Sequence, residues 1–361
     1  MSQRYEISEN VTMLTEHGGG GPRRKRRRMQ RATMSDVAGH AQVSPSTVSL
    51  YLRKPGSVSL AAGQSIQQAI DQLNYVPNRV AGGLAAASSR AVSVIVPSIR
   101  NAFFAETVSA LQTELGKEKV QVLLGHSEYS EREEENLVRA ALSWSPAAIV
   151  LTGLHHSATT RKLLKASQTP VIEIWELGEK PIDMAVGFFH RQIGESVANH
   201  LLARGRRRIA FLGARLQEDC RAAERADGFA HAMQADRRGD AFLFTHPAPA
   251  SVEVGASLLA QAVAAVPDLD AIACSNDYLA LGTLFECQRR GIVIPEQLAL
   301  VGFGDMNFSS CCNPALTSVR PSGDIIGTET ARLILEHMNG NHRNAGCVVD
   351  THFRLLHRQS S

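Results

Sequence analysis

The sequence predicts an α/β protein with a small helical head, and three observations lead there. First, from Ala91 onward short β-rich runs alternate with amphipathic helical stretches. The strand-like runs are Val92–Val96, Val120–Leu124, Ala148–Leu151, Val171–Trp175, Ile209–Leu212, Ala271–Cys274 and Leu298–Val301. Helical patterns lie between them at about 103–117, 130–143, 191–204, 221–234, 252–265 and 277–290. Regular β-α alternation implies parallel sheets covered by helices on both faces. Second, the pattern restarts near Arg208, which implies two similar lobes rather than one sheet, with a ligand cleft at the carboxyl ends of the strands. Third, charge is uneven: residues 1–90 carry 12 Lys and Arg against 5 Asp and Glu, and the remainder 26 against 30. A basic front on a slightly acidic body points to a polyanion-binding head.

Composition sets the outer limits. Of the 361 residues, 44% are hydrophobic and 20% charged, which excludes a disordered chain, a collagen-like fibre and a small disulfide scaffold. No run approaches the roughly 20 apolar residues that span a bilayer. The basic run Arg23–Arg28 leads into polar sequence without the apolar stretch of a signal peptide. Six cysteines, Cys220, Cys274, Cys287, Cys311, Cys312 and Cys347, contain no C-x-x-C pair, and free thiols in a cytoplasmic protein are expected. Residues 1–31 read as a disordered basic tail that attracts phosphates without folding; Gly18–Gly21 precedes no G-K-[ST] and is a linker.

Residues 32–76 form the head. Thr33 and Asp36 have capping-box spacing, and Val37, Ala38 and Ala41 give one short helix. After a turn at Gln42-Val43, Ser44-Pro45 opens a second helix with proline at its first position. Val48, Tyr51 and Leu52 face inward there, while Ser46, Thr47, Ser49 and Leu50 are outward near its start. A third helix runs over about 60–73. Two short helices joined by a tight turn fit a helix-turn-helix, whose polar N-terminal end enters the ~12 Å major groove. Periodicity alone suits a generic three-helix bundle equally well, and the basic flank favours DNA.

These residues also carry a resemblance. "TMSDVAGHAQVSPSTVSLYL", then "VS" at 58–59 and "LNYVPNRVAGGLA" at 73–85, resembles the head and hinge of the lactose-repressor family of bacterial regulators. The resemblance implies base reading by Pro45, Ser46 and Leu50, with Thr33, Thr47 and Ser49 also at the DNA. It implies a hinge over residues 77–90, in which Asn78 and Arg79 meet the minor groove and Leu84 wedges into the central base step. Leu50 stands where family members often carry arginine, the bidentate reader of guanine, so the operator cannot be transferred from relatives. Gly82-Gly83 cost roughly 1 kcal/mol each in a helix, so the hinge is expected to order only on DNA.

For residues 91–345 the resemblance implies a two-lobed, periplasmic-binding-protein-like sensor that also dimerises, followed by a C-terminal strand and tail at 346–361. "SRAVSVIVPSIRNAFFAE", "DMAVGF", "IAFLGARL" and "FECQRRGIVIP" look like the gluconate-operon repressor type. Position by position, the effector cleft is then lined by Asn101, Phe103, Phe104, Trp175, Glu176, Arg225, Asn276, Asp277 and Asp305. One of Phe103 and Phe104 is expected in the core, and Gly304 competes with Asp305 because "GFGDM" carries one residue more than the usual pattern. Arg225 lies in a charge-rich helix with Arg221, Glu224 and Asp227, so a surface ion pair is its plain alternative. His155-His156 and His231 to His246 lack a metal-ligand pattern and read as solvent or loop histidines.

No catalytic constellation, metal site or cofactor is expected. The reading is a sequence-specific repressor, a homodimer on a palindromic double-stranded DNA operator, tuned by a sugar acid such as gluconate or a ketogluconate. Its rivals are a cytosolic α/β sugar-binding or sugar-processing enzyme with an unrelated basic tail, and an architectural DNA binder that leaves the large body without a role.

Overall fold

The computed structural model describes residues 32–77, 90–99, 103–178, 180–236, 239–341 and 346–361. The tail, the hinge residues Asn78, Arg79 and Leu84, and Asn101 lie outside the described residues. The chain separates into two compact units, residues 1–79 and 80–361.

The first unit is three helices: α1 (Met34–His40), α2 (Pro45–Arg53) and α3 (Leu60–Leu73). The Asp36 N–H donates to the Thr33 hydroxyl at 3.3 Å and the Thr33 N–H to the Asp36 carboxylate at 2.7 Å, so Thr33 and Asp36 form the expected capping box. The Ser44 hydroxyl accepts from the Thr47 N–H at 3.2 Å, with Pro45 at the first helical position. Val37, Ala38, Val48, Ile66, Ala69 and Tyr75 make the core. Pro45 and Ser46 stay exposed at the α2 N-terminus, and Thr47, Ser49 and Leu50 are half-buried beside them.

The second unit holds two six-stranded sheets. Its elements in chain order are β1 (Ala91–Val96), α4 (Phe103–Lys117), β2 (Gln121–His126), α5 (Glu131–Ser143), β3 (Ala148–Thr152), α6 (Ala158–Ser167), β4 (Val171–Ile174) and β5 (Met184–Gly187). Next come α7 (His190–Ala203), β6 (Arg208–Ala214), α8 (Cys220–Asp236), β7 (Asp240–His246), α9 (Val252–Ala265), β8 (Ala271–Cys274) and α10 (Asp277–Arg290). The remainder is β9 (Ala299–Phe303), β10 (Thr317–Pro321), α11 (Gly323–Met338), β11 (Val348–Asp350) and β12 (Phe353–Leu356).

The first sheet has the order β11-β5-β4-β3-β1-β2 and is parallel throughout. The second runs β12-β10-β9-β8-β6-β7, with only β12 antiparallel. Their central strands β3, β4, β8 and β9 are buried along their whole length, as apolar runs under helices on both faces require. The restart near Arg208 is the start of the second sheet. Residues 346–361 supply an edge strand to each sheet. The chain therefore crosses between lobes three times, at 188–189, at 322 and at 351–352.

Helix pairs meet through glycine. A Cβ on Gly194 (α7) would lie 1.9 Å from the Arg225 carbonyl oxygen, and one on Gly228 (α8) 2.0 Å from that of Arg191. All six cysteines are free. No helix among the described residues is long and apolar enough to cross a membrane.

Candidate functional site

The cleft between the lobes is built at the carboxyl ends of the strands, where doubly wound sheets place their ligands. It has two chambers, with cavity volumes of about 40 and 270 Å³, that share Phe103 and Trp175.

Five aromatic residues, Phe103, Phe104, Tyr129, Trp175 and Phe303, line the smaller chamber. Phe104 and Trp175 meet edge-on at 5.2 Å, and Phe103 lies 5.9 Å from Phe303 of the opposite lobe. Trp175 follows β4 with φ +70°, and its indole N–H donates to the Thr107 hydroxyl at 3.0 Å. Thr107 in turn donates to the Gly323 carbonyl at 2.9 Å, so two helices fix the indole plane. Phe104 is buried at 6% exposure while Phe103 stays half-exposed, yet both touch the chamber.

Arg225 is the charged centre. It is 5% exposed, and its guanidinium stands 4.0 Å over the Phe303 ring. Nη1 donates to His190 Nδ1 at 2.8 Å and to the Arg221 carbonyl at 3.1 Å, and Nη2 to the Ser275 carbonyl at 2.9 Å. A guanidinium has five N–H groups. Those left over are one on Nη2 and the one on Nε, which has no hydrogen-bond partner among the described residues. Burial brings the Arg225 pKa down to about 10, with Asp219 opposing and Arg221 adding to the effect, so it stays cationic at neutral pH. Tyr129 is pushed up to about 12 by burial and Asp219, so it remains a donor. Asn276 caps α10, accepting from the Leu279 N–H at 3.1 Å, and its amide lines the same chamber.

Phe103, Phe104, Trp175, Arg225 and Asn276 line the smaller chamber together, Asp305 shares the larger one with Phe103 and Trp175, and Glu176 and Asp277 line neither. Asp305 lines the larger chamber with φ +46°, paired with Arg320 at 3.3 Å and Arg358 at 2.6 Å. Gly304 beside it takes the Phe103 ring, which a Cβ would approach to 2.0 Å. Glu176 is buried and lines neither chamber, accepting from the Leu154 N–H at 3.2 Å. Asp277 lines neither chamber: it accepts from the Met306 N–H at 2.9 Å and from the Ser309 and Ser318 hydroxyls at 2.7 Å each, inside the second lobe. Tyr129, His190, Asp219, Arg221 and Phe303 were not singled out. Arg221 had the clearest available signal, being four residues from Arg225 on one helix face.

His155, Glu176 and Glu224 come close enough to hold a cation, with His155 Nε2 at 3.4 and 3.8 Å from the two carboxylates. Arg221 already supplies positive charge to Glu176, the two side chains covering the same face of Gly153.

His156, read from the sequence as a solvent or loop histidine, lies in the loop between β3 and α6 but is turned away from solvent. Its side chain is fully buried, with Nδ1 2.8 Å from Glu134 and Nε2 3.3 Å from Glu173. Burial disfavours the charged ring, but the two carboxylates prevail and raise its pKa to about 9. A folded value above the free 6.5 gives stability that is complete below pH 6.5 and lost as pH rises through about 9. Urea unfolding is therefore expected to lose about 2 kcal/mol between pH 7 and 9, a slope that flattens in His156→Gln. An unchanged slope in the variant refutes the assignment.

Residues 33–78 match the profile of bacterial regulatory proteins of the lacI family, and residues 198–361 that of a periplasmic binding protein-like domain. The HTH-type transcriptional regulator GntR of Pseudomonas aeruginosa is 38% identical over 332 residues, covering 92% of this chain and 96% of that relative. The chain belongs to the lacI family. Among solved structures, a LacI-family transcriptional regulator from Silicibacter pomeroyi superposes on this lacI-family protein with a TM-score of 0.86 at 30% identity, covering 91% of this chain and 99% of that one. The transcription regulator GntR from Chromobacterium violaceum gives 0.70 at 36% identity, covering 75% and 99%. The lacI-family chain is a DNA-binding transcriptional repressor and not an enzyme, in line with relatives that are named as transcriptional regulators.

Proposed function

We propose that this repressor controls sugar-acid catabolism genes and is tuned on its operator by gluconate or a close relative such as a ketogluconate. The observation that carries the reading is the donor count at Arg225: adjacent nitrogens, Nε and Nη2, each keep one hydrogen inside a buried chamber. A carboxylate accepts from such a pair bidentately, and a neutral hydroxyl does not match its charge. Tyr129 and Asn276 suit hydroxyl groups, Trp175 and Phe103 the C–H face of a polyol, and Asp305 in the larger chamber its far end. Similarity to regulators named GntR supports the same ligand class. Calorimetry with gluconate against neutral sorbitol tests it: tighter binding of gluconate is expected, and equal affinity defeats the proposal.

On the DNA side, Pro45, Ser46 and Leu50 are proposed to read bases, Thr33, Thr47 and Ser49 to hold the head in register, and Asn78, Arg79 and Leu84 to occupy the minor groove. A single three-helix head reads one half-site, so a cytoplasmic homodimer on a palindrome is proposed; light scattering is expected to give twice the mass of one chain, and a stable tetramer contradicts it. Leu84→Ala is expected to weaken operator binding by well over about tenfold in gel shifts while non-specific binding, which comes from Lys and Arg, stays constant. An equal fall in both sinks the wedge.

A further inference from the structure

We propose that His190 is the residue that makes the cleft selective for a carboxylate, acting as a positioning residue for Arg225; the inference rests on Arg225 being the anchor. His190 opens α7 just after the first crossing between lobes and is 1% exposed. Its Nε2 lies 2.8 Å from the Trp175 carbonyl oxygen, an acceptor only, so Nε2 carries the proton. Nδ1 is then a lone-pair acceptor, and it sits 2.8 Å from Arg225 Nη1, a donor only. Both hydrogen bonds are satisfied by one tautomer of the neutral ring and by no other protonation state.

The surroundings enforce that state. Phe188 packs edge-on against the imidazole at 4.8 Å and Phe303 lies 6.2 Å away. The charges acting on it from α8 are both cationic, Arg225 and Arg221, and from the first lobe it receives the Trp175 carbonyl. Burial first, then those arginines, hold its pKa well below the usual histidine value.

The consequence for recognition lies in which edge of Arg225 is free. His190 and the Arg221 carbonyl occupy both Nη1 hydrogens, which turns the Nε–Nη2 edge toward a ligand. Without an acceptor at the Nδ1 position, a buried Nη1–H is unpaired, and the guanidinium rotates to satisfy it at the expense of the ligand-facing fork. The same relay, Trp175 carbonyl to His190 to Arg225 to Ser275 carbonyl, runs from the first lobe to the second.

The test compares gluconate and sorbitol binding by calorimetry in the full-length wild type, His190→Phe and His190→Asn. Phenylalanine keeps a ring in the aromatic cluster and removes the acceptor; asparagine places an amide oxygen near the Nδ1 position. The phenylalanine variant is expected to lose about tenfold or more in gluconate affinity with sorbitol affinity within about threefold of wild type, and asparagine to restore most of the preference. A preference kept in His190→Phe, or an asparagine variant that behaves like phenylalanine, overturns the role of His190 and leaves Arg225 standing. A wild type that does not prefer gluconate overturns both. Where His190→Phe does not fold, ring ¹⁵N shifts of histidine-labelled wild type decide: the neutral Nε2–H tautomer at pH 6 is expected, and a cationic His190 at that pH overturns the proposal.

Discussion

Arg225→Ala is expected to lose about 2–5 kcal/mol of gluconate binding, the largest single effect at the cleft. Much of that loss is not the contact itself. Removing the guanidinium strips His190 Nδ1 and the Ser275 carbonyl of their donor and leaves the ligand carboxylate buried without its paired donors, Arg221 of the same chamber remaining. Sorbitol affinity changes far less, because it has no charge to lose. Operator affinity in the absence of effector stays near wild type, since Arg225 belongs to the second compact unit and the head to the first. Calorimetry and gel shifts on one preparation separate the two; gluconate affinity unchanged in the variant removes Arg225 from the site.

Gly194→Val is expected to cost about 3 kcal/mol or more of stability and to weaken gluconate binding as well. The first atom of any side chain at Gly194 strikes the Arg225 carbonyl oxygen at 1.9 Å and the Phe229 nitrogen at 2.6 Å. These are backbone atoms, so α7 and α8 must part. His190 lies on α7 and Arg225 on α8, and their 2.8 Å hydrogen bond stretches with the helices. A parallel variant at Gly205, with φ +84° but nothing within 4 Å of its Cβ, controls for backbone strain alone. Chemical denaturation that shows equal, small losses at both positions rejects the close-approach argument.

Legibility in the sequence followed local signal strength. The spans expected at 60–73, 103–117, 252–265 and 277–290 coincide with α3, α4, α9 and α10, where apolar spacing is regular and serine or asparagine caps α3, α9 and α10. The short strand β5 and the edge strand β7 went unassigned. The first is only four residues long, and the second is a sheet edge whose apolar run Ala241–Phe244 leaves Leu243 at 58% exposure, so neither has the length and burial together that mark a central strand. The helices α6 and α11 and the strand β10 were also not assigned, and for 346–361 a single strand was expected where two form, β11 and β12. At the site, residues with a recognisable neighbourhood, Trp175 and Asn276 among them, came through the family resemblance. Tyr129 and His190 did not, because each is defined by partners distant in sequence; Arg221 was passed over although Arg225 lies four residues along the same helix. His190 meets Arg225 across 35 residues, and nothing within "GFFHRQ" distinguishes it from a helix-start histidine. His156 illustrates the same limit, its carboxylate Glu134 lying 22 residues away.

The three passages of chain between the lobes, at 188–189, 322 and 351–352, carry a pharmacological consequence. Two stiff bodies joined by short connections have few soft motions, chiefly a change in the angle between them. A molecule does work on that angle only by binding one setting better than another. Phe104, Tyr129 and Trp175 stand on the first body, and Arg225 and Asn276 on the second. An agonist must therefore grip both walls at once. Under the proposed sugar-acid reading, a fragment that pairs with Arg225 and is too short to reach Trp175 is expected to occupy the site, leave the angle alone and block the effector: a competitive antagonist made by shortening the sugar chain while keeping its acid.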